Sequence, residues 1–128
     1  MGSNSRVSQI LLAIAASIVG LVAILHGSAL GTIRDGLTNV QPEILANVNV
    51  VWLAVTGDLL LVALLWFVCL FARVPAWPTV FITALIPLSQ AVNLALNIAP
   101  AFPPALLLGL ASALAITAAL RMRTGVRH

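Results

Sequence analysis

Long apolar runs separated by short polar or proline-bearing stretches set the pattern of this chain. Residues 10–30 form the first run, 48–71 the second, 79–98 the third with polar interruptions, and 104–120 the fourth and shortest. A helix needs about 20 apolar residues to cross a bilayer, so each run predicts a transmembrane helix. The punctuation between runs agrees. Gly31 and Gly36 flank the first exit, while Pro42, Pro78 and the Pro103-Pro104 pair stand where first-turn prolines are tolerated. A second helix beginning at Pro42 would run about 30 residues, or roughly 45 Å at 1.5 Å per residue. That exceeds the hydrocarbon thickness, so it should tilt or lay its first turns in the interface. Residues 99–103 are too few for more than a tight connection, which predicts a helical hairpin from the third and fourth runs. The expected fold is all-α and polytopic, with four transmembrane helices in one antiparallel bundle spanning residues 1–128 as a single domain.

Composition strengthens the membrane reading. The chain is 62% hydrophobic and 7% charged, with a mean hydropathy of +1.15. So little charge cannot cover the surface of a soluble domain. All six basic residues are arginines, spread along the chain rather than gathered as a nucleic-acid patch, and no nucleic-acid partner is expected. Their spread instead predicts orientation. Arg6, Arg73, Arg121, Arg123 and Arg127 fall on one side of the four runs, and only Arg34 falls on the other. The positive-inside rule then puts both termini in the cytoplasm. Arg6, the apolar core and Gly27-Ser28-Ala29 have the outline of a secretion signal, but the core is long, and a retained first helix is expected. Trp52 and Trp77 fall near opposite interfaces, where indoles are favoured, and Trp66 lies deeper as a packing residue.

The polar residues inside the runs are the candidate chemistry. Asp58 lies roughly 13 Å below the outer boundary by helical rise, close to the bilayer centre. His26 stands near the outer end of the first helix. On the third helix Thr79, Thr83, Gln90, Asn93 and Asn97 fall within about 80° of one another, a polar stripe that lipid cannot satisfy. Pro87 interrupts the same helix and predicts a kink, because it frees the carbonyl of residue 83. On the second helix Asp58 shares its face with Val51, Ala54, Leu61 and Leu65, whereas Asn49 and Thr56 point nearly the opposite way. A partner for Asp58 must therefore come from another helix, another chain or a ligand. His26 and the third-helix amides are the candidates within the chain. Small residues form bands on the first helix (Ala13, Ala16, Gly20, Ala23, Gly27, Gly31) and on the fourth (Ala105, Gly109, Ser112), which allow close backbone approach. The first and fourth helices are expected to pack, and the second and third to carry the chemistry.

Enzyme motifs are missing. The chain has no second intramembrane carboxylate, no HExxH, no nucleophile elbow and no phosphate loop, so no catalytic residue is assigned. Lone Cys69 excludes an intrachain disulfide and reads as a small packing residue. His26 could be a relay, a ligand or a structural hydrogen-bonding group. His128, the other histidine, is terminal, and no metal or cofactor is expected. The chain does not resemble the small multidrug transporters, which carry a glutamate in the first helix, or the quinone-linked thiol oxidoreductases, which need paired cysteines.

Two functions fit this inventory. In one, Asp58, Gln90, Asn93, Asn97 and His26 line a polar pocket between the second and third helices. That pocket binds or moves a small polar or cationic solute, with or without proton coupling, within a homo-oligomer. In the other, the protein is a non-catalytic accessory subunit or assembly factor, and Asp58 and the amides meet a partner helix. The direction of Asp58 separates them: inward favours the solute site, outward a partner chain.

Overall fold

The structure, a computed structural model, describes residues 3–72 and 76–125, and every regular element among them is helical. The elements are α1 (Ser3–Ser28), α2 (Leu30–Gly36), α3 (Pro42–Phe71), α4 (Trp77–Thr83), α5 (Leu85–Asn97) and α6 (Pro103–Gly125). They make four helices long and apolar enough to cross a membrane: Arg6–Gly36, Pro42–Phe71, Trp77–Asn97 and Pro103–Thr124. The protein is a membrane protein on this ground.

Prolines set the helix starts. Pro42 and Pro103 open α3 and α6, and Pro78 sits in the first turn of α4. At these positions the missing N–H has no intrahelical acceptor to lose. α3 has the full 30 residues expected from a Pro42 start. The third span breaks at Ala84, between α4 and α5. Pro87 has no N–H for the Thr83 carbonyl, and the ladder loosens there. The first span has a similar break at Ala29, whose N–H lies 3.2 Å from the carbonyls of both Leu25 and His26.

α1 and α6 form the centre of the molecule, with α3 packed on α1, and α4 and α5 packed on α6. Alanine dominates the central seam. Ala15, Ala16 and Ala23 of α1 and Ala105, Ala111, Ala115, Ala118 and Ala119 of α6 are buried. In lipid no hydrophobic force drives helices together, so close backbone approach and dispersion carry the association. The band of small residues on α1 also serves α3. A Cβ on Gly20 would stand 3.7 Å from Ala63 Cβ, and one on Gly27 would stand 3.0 Å from Thr56 Cγ2. Gly31, placed in the same band by sequence, has nothing within 4 Å.

The second and third spans touch each other lightly. Their tie is Trp66, fully buried, whose Nε1–H donates to Thr83 Oγ1 at 2.8 Å. Thr83 passes its own hydrogen to Thr79 O at 2.7 Å. Cys69 is half-buried against the core. At the start of α4, Arg123 of α6 lies over the Trp77 ring, 5.3 Å from its centroid. A guanidinium over an indole face is attracted by the ring quadrupole.

Candidate functional site

Two polar positions on α3 define the site, and they differ in their partners. The first lies on the face turned to α1. Asn49, Trp52 and Thr56 follow one another at helical spacing and share that face. The His26 ring stacks on Trp52, with centroids 3.9 Å apart and planes 11° from parallel. Trp52 Nε1–H donates to the His26 carbonyl at 2.7 Å. That carbonyl is shared with the Ala29 N–H, at the break where α1 gives way to α2. Thr56 Oγ1 donates to Trp52 O at 2.9 Å. A hydroxyl has one hydrogen, so the imidazole is the donor in the 2.9 Å contact between His26 Nδ1 and Thr56 Oγ1. In the neutral imidazole Nε2 then keeps its lone pair. Asn49 Oδ1 is buried nearby in sequence without a hydrogen-bond partner.

Asp58 is the second position. It is exposed, on the face it shares with Val51 at 62% exposure and Leu61 at 65%, and that face points outward. Among the described residues its carboxylate has no hydrogen bond and no ion pair. The structure therefore does not bring Asp58 together with His26, whose ring is taken by Trp52 and Thr56.

The third-span amides are also separate from Asp58. Asn97 Nδ2 donates to Asn93 Oδ1 at 2.7 Å and to Asn93 O at 2.9 Å, and both residues are exposed. Gln90 is half-buried and without a hydrogen bond among the described residues. Thr83, a further member of the stripe, is used by Trp66. These amides face the outside of the bundle rather than its centre, where Ala91 meets Gly109 with 3.9 Å between Ala91 Cβ and a Cβ built on the glycine.

Sequence reasoning missed Trp52 and Thr56 as the partners of His26. Their shared face with Asn49 was visible, but nothing in the sequence says which helix lies across from it. Among the described residues no three His, Cys, Asp or Glu side chains gather as a metal site. His128 lies outside the described residues. No family model, curated protein or solved structure matches this chain.

Proposed function

We propose that the protein is a non-catalytic subunit or assembly factor of a membrane complex, and that α3 holds a partner transmembrane helix through Asp58. The observation that carries this reading is the exposed, unpaired carboxylate in the middle of an apolar, membrane-length helix. Lipid is a poor neighbour for such a group, and intramembrane ionisable residues mark functional contacts. No arginine stands within the middle of any span, and His26, which meets Thr56 two residues before Asp58, has its ring held by Trp52 and Thr56, so a second copy has no free cation for Asp58 at that depth. A heterologous helix bearing a basic or amide side chain fits better.

The bundle is antiparallel on this proposal, with both termini cytoplasmic by the placement of Arg6, Arg121 and Arg123 against Arg34. Arg73 and Arg127, on the same side by sequence, lie outside the described residues. Antiparallel packing also gives Asp58 a second neighbour for the partner. Asp58 precedes Trp66 by eight residues, about 12 Å, and Gln90 follows Thr83 by seven, about 10 Å. Measured from the Trp66–Thr83 tie, acid and amide then stand at similar heights. A helix laid along the outer halves of the second and third spans would meet both.

Moving a small polar or cationic solute through a homo-oligomer uses the same residues but needs Asp58 walled from lipid by further copies. Native mass spectrometry of particles extracted gently from their own membranes separates the two. A stable complex with unrelated subunits, lost in Asp58→Leu, is the expected result. A homo-oligomer unchanged in mass by that substitution sinks the partner reading.

A further inference from the structure

Between α1 and the last turn of α3, at the opposite end of the molecule from His26, runs an open cleft of about 460 Å³, within the size range of ligand sites. Its lining is Arg6, Gln9, Ile10 and Ala13 from α1 and Leu70 and Phe71 from α3. The four α1 residues follow the i, i+3, i+4, i+7 spacing of one helix face. Arg6 begins the first membrane span and Phe71 ends the second, so the cleft opens at a membrane boundary.

Its parts are ordered by polarity. Arg6 is exposed at one end, and among the described residues its guanidinium has no ion pair. Gln9 comes next. Its Nε2 gives one N–H to the Leu70 carbonyl at 3.4 Å, covering a helix-terminal acceptor that would repel an anion, and the second N–H is unused. The walls are apolar and uncovered, with Phe71 82% exposed at the boundary and Ile10 59% exposed one turn inward of Arg6. Ala13 is the floor, seven residues or about 10 Å along α1 from Arg6, and its small side chain leaves the space open. A cation and an amide donor at the boundary, followed inward by an apolar slot, match a molecule with an anionic head and a hydrocarbon tail.

We propose that this cleft is a binding site for an anionic phospholipid, with the phosphate on Arg6 and Gln9 and one acyl chain lying between Ile10, Ala13, Leu70 and Phe71. Arginine suits the head because its planar fork binds phosphate oxygens in pairs. The site depends on the membrane placement of the first two spans and not on Asp58 or a partner helix.

The test uses the full chain incorporated into vesicles of equal phosphatidylglycerol and phosphatidylcholine, then released and weighed by native mass spectrometry with its retained lipid. One arginine at an anionic surface favours the charged lipid about fivefold, so that excess of phosphatidylglycerol is expected on the unmodified chain. Removing that one charge in Arg6→Gln should cut the excess about fivefold, and Arg6→Lys should keep it. Ala13→Leu, which fills the floor without touching charge, should lower retention of both lipids. Arg6 is exposed and unpaired, so its variants keep the fold, which circular dichroism checks. An unchanged fivefold excess in Arg6→Gln overturns the proposal. So does inorganic phosphate alone raising the unfolding temperature as much as phosphatidylglycerol does, since the occupant would then be a free anion.

Discussion

Thr56 and Asp58 stand two residues apart on α3, and among the described residues only Thr56 has a hydrogen-bonding partner. Thr56 closes a ring of contacts with His26 and Trp52, whereas the Asp58 carboxylate has no hydrogen bond or ion pair among the described residues. Both groups are too polar for hydrocarbon, and the two positions answer that problem in different ways. A polar group whose partner is built in stabilises the bundle it belongs to. One whose partner is absent destabilises the lone chain and gains only when something else arrives. The side of the helix decides which. The Thr56 face looks at α1, a stripe of small residues with room for an imidazole, and the Asp58 face looks away.

The widest separation should come from Asp58→Leu. Losing one partner of a desolvated, hydrogen-bonded charge contact costs about 2–5 kcal/mol, so retention of a partner subunit should fall more than thirtyfold. The unfolding temperature of the isolated chain in detergent should not fall with it. Equal partner retention would erase the distinction between the two positions. Trp52→Ala should do the reverse. Removing a half-buried indole with its stack and hydrogen bond should lower stability by about 2 kcal/mol, read from thermal unfolding, with partner retention unchanged. Thr56→Val is the milder version. It keeps the shape and leaves the His26 N–H unpaired, at a cost of about 1 kcal/mol. A loss of partner binding in either of these two variants would show that the faces are not independent.

The smallest expected effect compares two glycines. Gly31→Ala meets open space and should stabilise by up to about 1 kcal/mol through helix propensity. Gly27→Ala should show no such gain, because its new methyl would press on a Thr56 side chain already fixed by two hydrogen bonds. Equal gains at both sites would mean that the α1–α3 contact is looser than the distances imply.

Much of this was legible in the sequence. Apolar run length gave the four spans, and Pro42 gave the start and length of α3, because those signals are local. Pro87 marked the interruption that falls at Ala84. Helical periodicity alone put Asn49 and Thr56 on the face opposite Asp58. What the sequence could not supply was which helix meets which face. The pairing of His26 with Trp52 and Thr56 joins residues about 30 positions apart, and periodicity on one helix is silent about the azimuth of another. The placing of a polar pocket between the second and third spans met the same limit. Trp66 and Thr83 do join them, but α1 and α6 take the centre. The Arg6 cleft escaped notice because its residues are ordinary singly and become a site only when the end of α3 is laid beside the start of α1.

The alanine seam between α1 and α6 has an entropic consequence. An alanine side chain has no rotamers, so burying it freezes no side-chain motion. Leucine or methionine in the same seam would have to select one conformer from several at each position. Ala15, Ala16, Ala111, Ala115, Ala118 and Ala119 select nothing. The seam can thus close without a search among side-chain conformers at these positions. On the proposed reading, α1 and α6 are the frame against which α3 engages or releases a partner helix at Asp58.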